Sequence, residues 1–280
     1  MTCPGRRRFA VHIIAHRHPH LFGDLVASLQ HDRIDVFAHI DAKADQRPFA
    51  AAAAGRVRFV TNRVPVHWGG FSQVRATVAL LSLAGDSYHR HSLLSGADVL
   101  LRPVGEVVDV WSGDAEFLRI DQALADPVFA QAGKVRRFHF PDQPRLAPLS
   151  GRIPRRPPTR FALVQGSQWW SLTGAAVGHA MRVVTGEPAW FRWFRYSLCP
   201  DEYVFHSVLA ASPFADALGD VAGPGGFTDS VRGQHYIGWT DVTATHPDPF
   251  TEQELPEAIA SGAFFARKAG PSWTWRGARA

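Results

Sequence analysis

The residues best equipped for chemistry lie in Tyr196-Ser-Leu-Cys-Pro-Asp-Glu-Tyr-Val-Phe205. Glu202 in that stretch can accept a proton, the work of a general base. It also follows Pro200-Asp201, and a proline followed by acids marks the first turn of a helix, where carboxylates favour the positive end of the dipole. On these residues alone capping is the better reading. Cys199 is not taken as a nucleophile: no activating histidine stands near it, and a place at an apolar strand end is more usual. Near the C-terminus, Phe264-Phe-Ala-Arg-Lys268 sets two cations beside an apolar pair. Arg267 and Lys268 could stabilise charge on a diphosphate, and a solvated helix end would carry the same pair.

No Asp-x-Asp occurs in the chain. Paired carboxylates suit a hard divalent cation, so a diphosphate bound here would need cationic side chains instead. His16, His18 and His20 alternate and would share one face of a strand. Pro19 argues for a loop, and no Cys or acid nearby completes a ligand spacing, so no metal is expected. In Gly166-Ser-Gln-Trp-Trp170 the indole faces of Trp169 and Trp170 could stack on the C–H face of a sugar while Gln168 meets its hydroxyls. Core packing would use the same tryptophans.

These groups need a scaffold. Apolar, β-forming runs predict strands over Phe9–Ala15, Asp35–Asp41, Val57–Val60, His91–Gly96 and Ala115–Ile120. Helical spacing predicts helices through Leu21–Leu29, Phe49–Ala54, Pro103–Trp111 and Gly174–Val184. Another runs through Val74–Leu83, capped by Ser72 or Gln73 after the Trp68-Gly-Gly70 loop. Strands alternating with helices predict an α/β fold with a parallel, doubly wound sheet, one domain over residues 1–280. Ligands of such sheets bind beyond the carboxyl ends of the strands, which points at His16–His20 and Asp41–Lys43. From Lys134 to Arg160 seven arginines and many prolines read as an irregular excursion rather than a packed element. It is either a functional loop or a solvated basic insertion.

The formal net charge is +5, yet lysine occurs only at Lys43, Lys134 and Lys268. That skew fits a genomic base-composition effect, so the charge argues weakly for nucleic acid. The basic run also lacks interleaved aromatics over most of its length. Nucleotides, phospholipid head groups and anionic glycans remain suitable partners. Two cysteines, Cys3 and Cys199, make no disulfide framework, so a reducing cytosol is expected. The first apolar run is too short to span a bilayer and is interrupted by His12 and His16. Membrane contact is therefore expected to be peripheral, at the inner face and through the Arg-rich segment.

Taken in order, Val11-His-Ile-Ile-Ala-His16, His39-Ile-Asp-Ala-Lys43, Val66-His-Trp-Gly-Gly-Phe-Ser-Gln-Val74, Leu93-Leu-Ser-Gly-Ala-Asp98, Gly166-Ser-Gln-Trp-Trp170, Pro200-Asp-Glu202 and Phe264-Phe-Ala-Arg-Lys268 run along nearly the whole chain. In these motifs it resembles the core-2/I-branching β-1,6-N-acetylglucosaminyltransferase family, which also contains the peptide O-xylosyltransferases and many bacterial members. The resemblance implies a GT-A-like fold, a UDP-sugar donor, a glycan acceptor, inversion at the anomeric carbon and no metal. It implies that Glu202 is the general base and that Lys268 holds the diphosphate with Arg267. Ala15, His16, Asp41 and Lys43 fall on the uridine site. Trp68, Asp98, Gln168, Trp169 and Trp170 fall around the sugar and acceptor. One departure stands out in Val231-Arg-Gly-Gln-His-Tyr-Ile-Gly-Trp239. His235 occupies the place of a diphosphate-binding Arg, so either Arg232 reaches in or a protonated His235 substitutes. The anchor and disulfides of eukaryotic members are missing, which fits a soluble bacterial-type enzyme. The rival readings are xylose transfer to a Ser hydroxyl and a non-catalytic glycan- or nucleotide-binding module.

Overall fold

All seven residues of Phe9–Ala15 are buried. A strand reads as a continuous apolar run only when both of its faces are covered. In the computed structural model, which describes residues 7–123, 131–218, 234–239 and 247–273, this run is the central strand, β1. After it come α1 (Pro19–Ser28), β2 (Ile34–Ile40), α2 (Arg47–Ala53), β3 (Val57–Phe59), α3 (Phe71–Ala84), β4 (Arg90–Ser95), β5 (Val99–Leu100) and α4 (Val104–Trp111). The second half adds β6 (Ile120–Ala123), α5 (Gly133–Arg136), β7 (Val164–Gly166), β8 (Ser171–Thr173), α6 (Gly174–Gly186), α7 (Pro188–Trp193), α8 (Val204–Ala210), β9 (His235–Ile237), α9 (Leu255–Ala260) and β10 (Phe265–Arg267).

The main sheet has the order β3-β2-β1-β4-β8. The β1–β2, β1–β4 and β2–β3 pairs are parallel, and β8 closes the edge antiparallel to β4. Side chains alternate across β1 as the two-residue period requires. Val11 and Ile13 face the cluster built with α1, α2 and α4, whereas Ala10 and Ile14 face the one built with α3, α6 and α8. This is the α/β arrangement with a mostly parallel, helix-flanked sheet expected of a GT-A-like fold. Among the described residues no helix is long and apolar enough to cross a membrane.

In-register pairing of Ala15 with Ile40 and of Ile14 with Ser95 brings three strand ends together. The Asp41 amide donates to the Ala15 carbonyl at 2.9 Å, and the Gly96 amide to that of Ile14 at 2.9 Å. A Cβ on Gly96 would lie 2.5 Å from that of Ala15, so glycine is needed where these loops cross. A second sheet, β5-β10-β9, stands beside those ends and carries Arg267 and His235.

The structure corrects several expectations. Neither Ser72 nor Gln73 caps α3. Gly70 is the N-cap, and the Asp142 carboxylate accepts from the Ser72 amide at 2.9 Å. A carboxylate reaching in from the excursion therefore does the capping. The strand expected over Ala115–Ile120 begins only at Ile120; before it, Phe117 alone bridges to Ser171. Residues 134–160 are not merely a solvated insertion. They hold most of the single-turn α5 and a 3₁₀ helix over Pro144–Leu149, and Arg155 donates to the carbonyls of Val135 and Trp193. Cys199 ends no strand: it sits at φ 49° before a single 3₁₀ turn, Pro200–Glu202. Arg267 lies in β10 with Lys268 just after it, not at a helix end.

Candidate active site

Two clusters of polar side chains make up the site. The first surrounds Glu202. Proline fixes φ at the start of the 3₁₀ turn, and the left-handed Cys199 before it turns the chain sharply. The Cys199 amide donates to the Gly69 carbonyl at 2.8 Å. That bond ties the turn to the Trp68-Gly-Gly70 loop, where Trp68 is 52% exposed. Two donors hold Glu202: the Lys134 ammonium at 2.7 Å and the Gln165 amide at 2.9 Å. Both meet Oε2. No described residue hydrogen-bonds Oε1, and the side chain keeps 26% of its surface exposed.

The electrostatics of this cluster follow from burial. Desolvation would lower the Lys134 ammonium, but the charge and hydrogen bond of Glu202, together with Cys199 and Asp201, outweigh it and raise the pKa. Burial, reinforced by Glu202, pushes the Asp201 carboxyl up to about 7. Its Oδ1 is buried without a hydrogen-bond partner, as a neutral acid tolerates better than a carboxylate. Burial first, then Glu202 and Asp201, push the Cys199 thiol far above its ordinary range, which leaves it inert as a nucleophile.

The second cluster surrounds Asp98, whose side chain is fully buried. Its carboxylate accepts from the Ser95 amide at 2.8 Å. It stands 3.5 Å from His235 Nε2 and 3.6 Å from an Arg267 nitrogen. Burial alone would raise Asp98, but Arg267, His235 and Ser95 hold it below its ordinary value. The Arg267 guanidinium lies 4.0 Å from the centre of the Trp169 ring, and His235 stacks on Phe265 at 5.3 Å. Lys268 continues the chain toward β1. Burial first and then Arg267 lower its pKa. Desolvation, then Lys268 and Arg17, also lower that of His16, against the pull of Asp41. Positive charge is thus crowded at the strand ends, the condition for binding an anion. Asp41 fixes the loop beyond β2 by accepting from the Lys43 amide at 2.9 Å, and the Lys43 ammonium bonds the Val66 carbonyl.

One segment joins the clusters. Gln165 touches Glu202, and Trp169 lies under Arg267. Four residues of extended chain reach at most about 14 Å, which bounds the backbone distance between the two points where this segment meets the clusters. Between them the Gln168 amide nitrogen is buried with no hydrogen-bond partner.

Ala15, His16, Asp41, Lys43, Asp98, His235, Arg267 and Lys268 therefore gather at the carboxyl ends of the strands, where Trp169 joins them under Arg267, and Gln168 lies in the chain between Trp169 and Gln165. Trp170 does not join them. It is fully buried against Phe205, with ring centres 5.4 Å apart, and belongs to the core rather than a pocket wall. Arg232 lies outside the described residues. Among the described residues no group of three or more His, Cys, Asp or Glu could hold a metal ion. His18 and His20 meet edge to face, and His18 is left-handed at φ 55°. Sequence reasoning missed Lys134, Gln165, Ser95 and Arg17. Lys134 is 68 residues from Glu202, and no local pattern signals such a pair.

Bovine (Bos taurus) xylosyltransferase 2 is 26% identical over 266 residues, covering 87% of this chain and 29% of that protein. Human (Homo sapiens) xylosyltransferase 2 is 27% identical over 266 residues, covering 87% and 30%. The chain thus spans less than a third of the length of these curated relatives. Among solved structures, the apo form of mouse xyloside xylosyltransferase 1 aligns with a TM-score of 0.41 at 11% identity, covering 78% of this chain and 85% of that one. The sequence model of the Core-2/I-Branching enzyme family matches residues 9–260, and the chain belongs to that family of glycosyltransferases.

Proposed function

We propose that this chain moves a sugar, N-acetylglucosamine first among candidates, from a UDP-sugar to a hydroxyl of a glycan acceptor, with inversion and without a metal. The setting is cell-surface polysaccharide or glycoconjugate synthesis, in the cytoplasm and peripheral to the inner face of a membrane. The observation that carries the reading is the state of Glu202: Oε2 is occupied by Lys134 and Gln165, and Oε1 is free of described partners. A base must reach its proton within hydrogen-bond distance, and a carboxylate anchored by one oxygen keeps the other aimed.

In one in-line step Glu202 takes the acceptor proton. The acceptor oxygen bonds to C1 of the donor, the bond from C1 to the phosphate oxygen breaks, and UDP leaves with the electron pair. The sugar passes through an oxocarbenium-like state. Arg267 and Lys268 face the growing charge on the diphosphate, with His235 or Arg232 beside them, as preset electrostatic partners. Ala15, His16, Asp41 and Lys43 border the uridine. Trp68, Trp169 and the unpartnered Gln168 amide face the sugars. Transfer of xylose is the second reading, favoured by the names of the curated relatives.

A panel of UDP-sugars in thermal-shift assays, with and without EDTA, tests the proposal. A ligand at 100 times its dissociation constant stabilises by about 2.7 kcal/mol. One UDP-sugar should raise the melting temperature by several degrees equally in both conditions. Stabilisation only when a divalent ion is present would remove the metal-free mechanism. Failure of every UDP-sugar would remove the transferase reading.

A further inference from the structure

The 3₁₀ helix Pro144–Leu149 has no buried residue at all. Side chains three apart eclipse in such a helix, so Leu146 and Leu149 share one edge. They are 37% and 43% exposed, and Ile153, just beyond, is 43% exposed. The chain has only seven large apolar side chains this exposed among the described residues, and three of them lie here. Contiguous exposed aliphatics rimmed by polar groups mark an interaction surface.

The rim is cationic. Arg145 and Arg152 flank the two leucines and are exposed, as are Arg136, Arg137 and Arg156 on the adjoining ribbon. That ribbon is set by the Phe138 amide donating to Ile153 at 2.8 Å and the Arg155 amide to Arg136 at 2.8 Å. The single acid between residues 134 and 160 is Asp142, and it is turned inward onto Ser72. Arg136, Arg137 and Arg156 also line an open groove with Pro154 and Pro157.

We propose that this face docks on an anionic lipid bilayer, with Leu146, Leu149 and Ile153 entering the interface and the arginines holding lipid phosphates. The aliphatic edge decides between membrane and nucleic acid. Apolar side chains in a ring of cations suit the boundary between headgroups and acyl chains, whereas single-stranded nucleic acid would call for aromatic platforms. The same ribbon leads directly into α5, whose Lys134 holds Glu202. Docking here would set the base next to the bilayer surface, whichever sugar is transferred.

Flotation of the full chain with vesicles tests this, comparing phosphatidylcholine alone with a phosphatidylcholine–phosphatidylglycerol mixture. The chain should float only with the anionic vesicles, and less as salt rises. Each juxtamembrane arginine contributes about fivefold in partitioning, so Arg145→Gln with Arg152→Gln should weaken binding by roughly 25-fold. Leu146→Ser with Leu149→Ser should weaken it at constant charge, with melting temperature unchanged. If that pair proves unstable, Ile153→Ser provides the same test singly. No binding to anionic vesicles overturns the proposal, and so does equal binding to neutral ones. Retention on heparin with vesicle binding untouched by the apolar variants would also overturn it, in favour of a plain polyanion site.

Discussion

Replacing Asp98 by Asn probes how the donor side is held together. Asparagine keeps an acceptor for the Ser95 amide, now 2.8 Å away, but removes the negative charge that stands 3.6 Å from Arg267 and 3.5 Å from His235 in that buried cluster. Breaking a buried ion pair from one side costs roughly 3–5 kcal/mol, because the remaining charge is stranded. The separations of 3.5 and 3.6 Å are ion-pair distances beyond good hydrogen-bond length, which points to the lower end, about 3 kcal/mol. Urea unfolding with an unchanged m-value measures it. Asp98→Asn combined with Arg267→Met removes both charges. That double variant should be less destabilised than the sum of the singles by roughly 1–3 kcal/mol. A loss below about 0.5 kcal/mol for Asp98→Asn, or simple additivity in the cycle, would refute the idea that Asp98 balances the buried Arg267 charge.

Three further perturbations follow. Lys134→Met should lower turnover without weakening UDP binding, since it leaves Oε2 of the base held by Gln165 alone while the cationic cluster stays intact; an equal fall in UDP affinity would argue against that division of labour. Asp201 has a folded pKa raised from 3.8 to about 7, so below 3.8 both states are protonated, and stability is lost as pH rises through that window. Asp201→Asn should flatten this slope in thermal melts between pH 4 and 7, and an unchanged slope would exclude Asp201 as its source. Asp142→Ala removes the cap of α3 and should cost roughly 0.5–2 kcal/mol; no loss in urea unfolding would mean that solvent caps Ser72 as well.

The scaffold was legible because its strands are buried on both faces. Phe9–Ala15, Asp35–Asp41 and His91–Gly96 each carry an apolar run that only a covered strand needs, and the structure places β1, β2 and β4 within a residue of them. The strand-end rule then located His16 and Asp41. The small sheet was not legible: β5 has two residues, β10 has three, and they pair across 165 positions with no run long enough to show a period. Trp170 and Trp169 look alike in sequence and both are buried in the same core cluster, yet only Trp169 also meets the Arg267 guanidinium. In the excursion six of the seven arginines are exposed, as its composition suggests, but Arg155 spends its donors on the carbonyls of Val135 and Trp193, which no local pattern signals.

The most direct test of the central claim is turnover of Glu202→Gln, measured together with UDP affinity and melting temperature. Glutamine preserves the shape but cannot accept the proton, and general-base catalysis supplies about 10²–10⁴-fold. We expect transfer to fall by that factor with UDP binding nearly unchanged, because the cations of the donor side do not touch Glu202. A variant that folds, binds UDP and transfers at close to the wild-type rate, losing only the roughly 0.5–2 kcal/mol of a cap, would contradict the account.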